Sequence, residues 1–222
     1  MKTVGHCTRI GAVAIAWNGE HAVTGDRDGE LRVWRTATGE CVATFSARGE
    51  GDVGADVAIA GAAFMRNSLG FVVALRNGTL KAFDLIKKKC FRAFRVSERT
   101  LDGVCVEGRD GLVICWERDA ARAYVVDLRT SKVLDEISGH DGPISCVALH
   151  PTTGELLTGS WDKTVRITRF LEDKQTEILT HPAEVTAVAV NEAGTLIVTA
   201  CRDGNLYIWD SSERTIVGLL PY

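Results

Sequence analysis

A histidine, a hydroxyl and a carboxylate recur together along this chain of 222 residues. His6, His140 and His181 each stand about twenty residues before a Ser or Thr, and an aspartate follows that hydroxyl. The first set is His6, Thr24 and Asp28, with Trp34 beyond it. The second is His140, Ser160 and Asp162. The third is His181, Thr199 and Asp203, with Trp209 beyond it. A His between a hydroxyl and a carboxylate is how serine hydrolases activate a nucleophile. A set that recurs, and twice ends on a Trp, reads better as a buried polar tie. Such groups persist inside a protein when each has a partner, the indole N–H included. The expectation is a structural network and no catalytic residue, with a hydrolase using one His-Thr-Asp set as the remote alternative.

A second series involves binding. The residue just before the turn Asp or Asn reads Arg27, Arg76, Arg118, Trp161 and Arg202. If the turns are equivalent, these side chains form an arc around one mouth. Arg and Trp dominate the centres of protein interfaces, so the series is the candidate protein-binding face. The plainer alternative is an Arg resting beside an exposed turn carboxylate. A further Arg-Asp-Gly, Arg109 to Gly111, falls between the first and second strands of its repeat and is not part of the series.

The elements that position these residues are strands. Taking Trp34 as anchor, the same neighbourhood returns at Phe83, Val126, Thr168 and Trp209, at intervals of 49, 43, 42 and 41 residues. Runs such as VAIAW, VCV, SCVALH and VTAVAV read as inner strands. AVTGD, FVVAL, LVICW, LLTGS and IVTAC read as second strands. Turns centred on Asp28-Gly29, Asn77-Gly78 and Asp203-Gly204 suit a tight hairpin, because such pairs tolerate positive φ. CVATF, CFRAF, VLDEI and TIVGLL supply outer strands. The middle repeats lack parts of the polar set and are expected to rely on apolar packing.

The bulk composition agrees. The chain is 45% hydrophobic and 25% charged, with a formal net charge of -3, so no global basic field draws nucleic acid. Lys87-Lys88-Lys89 is a short basic run, by default a solvated loop. The seven cysteines are odd in number and lack C-x-x-C spacing. They read as reduced thiols of a cytosolic or nuclear protein. No P-loop, G-x-S-x-G, H-E-x-x-H or spaced Cys/His set is present, so no cofactor or metal site is expected. No apolar stretch reaches the length of a membrane span, and no small-molecule substrate is expected.

A period near 40–45 residues with four strands per unit resembles the WD-repeat family, whose units are propeller blades. The reading is an all-β WD-repeat β-propeller of five four-stranded blades, at about 6–49, 50–98, 99–138, 139–180 and 181–222. It is read as part of a larger, open propeller, since no strand remains to close the ring. GECVATFS, GTLKAFDLIKKKCFRAFRV, SKVLDEISGHDGPISCVALHP and GSWDKTVRI, in this order, further resemble the periodic tryptophan protein 2 family of the small-subunit processome. That resemblance implies a non-enzymatic scaffold in the nucleus and nucleolus, acting in small-subunit rRNA processing and ribosome biogenesis. It implies processome WD-repeat subunits and the snoRNA particle as partners, with pre-rRNA contacted indirectly. Members of that family are far longer. The alternative is a different WD adaptor, of the ubiquitin-ligase receptor or vesicle-coat type.

Overall fold

The computed structural model describes residues 5–49, 54–107, 111–171 and 175–221. Among the described residues there are twenty β-strands and no helix. They form five four-stranded sheets in which each strand pairs with its neighbour in the chain. The first sheet is β1 (Ile10–Ile15), β2 (His21–Asp26), β3 (Glu30–Arg35) and β4 (Glu40–Ser46). The second is β5 (Ile59–Phe64), β6 (Gly70–Leu75), β7 (Thr79–Asp84) and β8 (Lys89–Arg95). The third is β9 (Gly103–Val106), β10 (Leu112–Glu117), β11 (Arg122–Asp127) and β12 (Lys132–Ile137). The fourth is β13 (Ile144–Leu149), β14 (Leu156–Ser160), β15 (Thr164–Thr168) and β16 (Thr176–Thr180). The fifth is β17 (Val185–Val190), β18 (Leu196–Cys201), β19 (Asn205–Asp210) and β20 (Ile216–Pro221). Arg109 and Asp110 lie outside the described residues.

A common register makes positions comparable between sheets. In four of the five sheets the first residue of the inner strand pairs with the last residue of the second strand, and a bulge follows at once. The pairs are Ile10 with Asp26, Ile59 with Leu75, Ile144 with Ser160 and Val185 with Cys201. The turn to the third strand needs positive φ, supplied by Gly29 at 80°, Gly78 at 84° and Gly204 at 81°. In the fourth sheet Lys163 takes that conformation at 70°.

The chain divides into two compact units, residues 1–117 with 126–133 and residues 118–125 with 134–222. In the first unit, Val23, Leu31 and Val33 of the first sheet are fully buried against Phe71, Val73 and Phe83 of the second. Phe83 stacks on Phe71 at 5.2 Å and meets Phe45 edge-on at 5.4 Å. Such ring pairs add about 0.5–1.5 kcal/mol each beyond their buried area. The inner strand β5, IAGAAF, has little of the β-branched character that marks the other inner strands. Its small residues answer to space. A Cβ on Gly61 would lie 2.7 Å from Gly103 Cα, and one on Gly11 would lie 2.1 Å from the Ile59 carbonyl oxygen. In the second unit, Leu157, Val165 and Ile167 of the fourth sheet pack on Val185, Ile197 and Trp209 of the fifth.

Candidate functional site

The pre-turn residues occupy one local environment. Each follows the last residue of a second strand, and in four of them the backbone N–H donates to the chain just before the inner strand. Arg27 donates to the Arg9 carbonyl at 3.2 Å and Arg76 to Ala58 at 3.0 Å. Trp161 donates to Pro143 at 3.1 Å and Arg202 to Glu184 at 2.9 Å. Arg118 follows β10, and its carbonyl accepts the Ile144 N–H at 3.2 Å. All five side chains are exposed. In the first unit, Arg76 Nε lies 3.7 Å from an Asp56 carboxylate oxygen. In the second unit, the Arg202 guanidinium sits 4.5 Å above the Trp161 ring, which keeps 38% of its surface open. This stack of an aromatic and a cation presents a flat, amphipathic surface of the type that anchors protein partners.

The histidines bond within their own sheets. In the first sheet the Trp34 indole donates to Thr24 Oγ1 at 2.8 Å. Thr24 has one hydroxyl proton, which is then free to donate to His6 Nε2 at 2.6 Å. His6 in turn donates from Nδ1 to Asp26 at 3.0 Å. Asp26 also accepts the backbone N–H groups of Asp28 and Glu30. The carboxylate on His6 is therefore Asp26 and not Asp28, which joins only through its backbone. Burial opposes the charge of Asp26, but the Glu30 N–H and His6 outweigh it and hold the carboxyl below its usual range.

In the fourth sheet His140 bonds Asp162 at 2.7 Å and Thr158 Oγ1 at 2.8 Å. The hydroxyl is Thr158 rather than Ser160. Thr158 lies opposite Val147 and Arg166, as Thr24 lies opposite Val13 and Arg32. Ser160 stands where Asp26 does and instead ties the Gly142 carbonyl to the Asp162 N–H. The carboxylate has moved two residues along the turn. In the fifth sheet Trp209 and His181 both reach Thr199, at 3.1 and 2.8 Å. Asp203 turns instead to the Tyr207 hydroxyl at 2.6 Å and the Asn205 N–H. The place of Asp26 is taken by Cys201, and His181 Nδ1 is buried without a partner. Burial pushes the His181 imidazole below its usual pKa, and it does the same to His140 against the pull of Asp162. The second sheet replaces the set with Val73, Leu75 and Phe83, all buried. A polar network is stable complete or absent, and this sheet shows the second solution.

These arrangements tie strands together within their sheets. Thr158 and Thr199 are at most 1% exposed, and their hydroxyls are spent on the histidines. His6, Asp26 and Glu30 place ligand atoms within 4.8 Å of one another, a geometry that suits a cation. Both His6 nitrogens are already hydrogen-bonded, and Arg32 pairs with Glu30, so the group acts as a tie. Asp26 and Thr158 escape a sequence reading anchored on the turn Asp-Gly, because they sit before the turn, within the second strands.

Comparison with known proteins agrees with this architecture. The family model "WD domain, G-beta repeat" matches residues 1–35, 131–168 and 173–210, together half of the 222 residues. The chain is 29% identical over 99% of its length to "Periodic tryptophan protein 2 homolog" of Dictyostelium discoideum. It is 30% identical over 98% to the mouse (Mus musculus) homolog, and 29% over 98% to "Periodic tryptophan protein 2" of Saccharomyces cerevisiae. It spans about a quarter of the length of these curated relatives, 24%, 23% and 23%. With five meander sheets, a recurring register and this match, the chain belongs to the WD-repeat family.

Proposed function

We propose that this chain is a non-enzymatic scaffold that acts as the periodic tryptophan protein 2 subunits do, assembling proteins on small-subunit precursor rRNA in the nucleolus. The observation that carries this reading is the likeness to proteins of that name along 98–99% of the chain. The exposed Arg27, Arg76, Arg118, Trp161 and Arg202 supply the surface for protein partners. Other processome WD-repeat subunits and the snoRNA particle are the partners this reading implies. The test is purification of the tagged protein at native level, with sedimentation against pre-ribosomal particles. Co-sedimentation with small-subunit precursors, and accumulation of unprocessed precursor on depletion, are expected. Trp161→Ala with Arg202→Ala is expected to release the protein from those particles without lowering its Tm. Sedimentation apart from the particles, with normal rRNA processing on depletion, refutes the proposal.

A further inference from the structure

The end of the first unit opposite Arg27 and Arg76 carries a cleft that neither the histidine relays nor the pre-turn series uses. Strand β2 runs toward Arg27, so the β1–β2 and β3–β4 connections lie at its other end, beside the matching connections of the second sheet. Between them is a cavity of about 280 Å³. Val33, Val42 and Leu85 form its apolar floor, and Leu69 and Ile86 form its wall. The Leu85 N–H donates to the Leu69 carbonyl at 2.9 Å, which fixes the two wall segments to each other. Leu69 is 50% exposed and Ile86 71%. Single exposed aliphatics are ordinary, but two of them bordering a cavity with an aliphatic floor mark a binding site.

Charge defines what enters. Lys88 lines the cavity, and Lys87 and Lys89 continue from it, all exposed and without an ion-pair partner among the described residues. Two carboxylates share this rim. Glu20 accepts from Asn18 Nδ2 at 2.9 Å and Asp84 from the backbone N–H groups of Ile86 and Lys87, while Arg35 and Glu40 pair with each other at 2.8 Å. The three lysines outnumber these two carboxylates, so the cleft is net positive in a chain whose net charge is -3. We infer that this cleft docks an acidic linear peptide that inserts a bulky aliphatic side chain between Leu69 and Ile86. Its carboxylates meet the three lysines. RNA fits less well, since the described lining holds no Phe, Tyr or Trp on which a base would stack, and an aliphatic wall does nothing for phosphate.

The test is fluorescence anisotropy of the 222-residue protein with a fluorescein-labelled hexapeptide, Asp-Glu-Leu-Leu-Asp-Glu, and with the same peptide carrying Lys for each acid. Saturable binding of the acidic peptide alone is expected, weakening as salt rises. Ile86→Asp is expected to weaken it about tenfold, and Lys88→Glu about threefold or more with a flatter salt dependence. Both residues are exposed, and unchanged Tm values confirm that the variants fold. The inference is overturned by equal binding of the two peptides, by affinity indifferent to both substitutions, or by absence of binding. It is equally overturned if a uridine oligonucleotide binds in the peptide's place, losing affinity in Lys88→Glu while ignoring Ile86→Asp. The pre-turn variants of the proposed scaffold leave this binding unchanged, so the two readings fail separately.

Discussion

Replacing Cys201 with Asp completes the one histidine relay that lacks its carboxylate. Cys201 lies opposite Val185 as Asp26 lies opposite Ile10, so the new carboxylate stands where His6 finds its own. His181 Nδ1 has no partner at present, and a buried donor left unsatisfied costs about 1–3 kcal/mol. Against that recovery stand the lost apolar contacts of a 7% exposed thiol, about 0.8 kcal/mol for one group of this size. The carboxylate must also be desolvated. In the first sheet two turn N–H groups offset this, whereas here the Asn205 N–H already serves Asp203. The net expected gain is about 1 kcal/mol, or about 2–4 °C in Tm for a chain of this length. The gain carries a pH signature. Burial now depresses the His181 pKa, and an adjacent carboxylate raises it, so the difference between variant and parent widens as pH falls from 8 to 6. Thermal unfolding at pH 8, 7 and 6 reads both effects. A lower Tm refutes the reasoning, as does an equal gain in a His181→Phe background.

Four further outcomes follow from the same geometry. Thr24→Val strands the Trp34 indole and His6 Nε2 together and is expected to cost about 2–3 kcal/mol by denaturant unfolding. Lys163→Gly relieves a non-glycine residue at φ 70° and is expected to raise stability by about 0.5 kcal/mol, net of glycine's greater freedom when unfolded. Gly61→Val drives a side chain against Gly103 Cα and the Val104 nitrogen, backbone atoms that cannot swing away, and is expected to cost about 3 kcal/mol. The His140 and His181 pKa values lie below the unfolded value of 6.5, so their contribution is present above that pH and is lost as pH falls through it. Asp26 and Asp162, also lowered, lose theirs below about pH 4. A Tm independent of pH between 7.5 and 5.5 contradicts the histidine assignment.

The sheets were legible because each repeat carries a marked second strand and a turn. AVTGD, FVVAL, LLTGS and IVTAC lie within β2, β6, β14 and β18. Two strands were hidden. Strand β5 is Ala- and Gly-rich because close approach to β1 and β9 forbids bulk, and that requirement overrides propensity. Strand β16, TEILT, is short and mostly exposed, so little hydrophobic pattern marks it. The relays were half legible. The histidines and indoles stand out by type, but the carboxylate on the imidazole sits at position 26 in one sheet and at 162, two residues further along the turn, in another. Two places near one ring can each satisfy it, and composition does not choose between them. The Trp161–Arg202 stack joins two sheets 41 residues apart in the chain and leaves no local trace.

The meander order of all five sheets bears on how this protein is made. Every strand finds its partner in the next few residues of chain, so each hairpin closes only a short loop and can form on a timescale of about 1–10 μs. Elongation at about 5–20 residues per second leaves each sheet seconds to assemble before the next emerges. The first sheet can then serve as the surface on which the second condenses, through Val23, Leu31 and Val33 against Phe71 and Phe83. The order of synthesis then becomes an order of assembly from one sheet to the next.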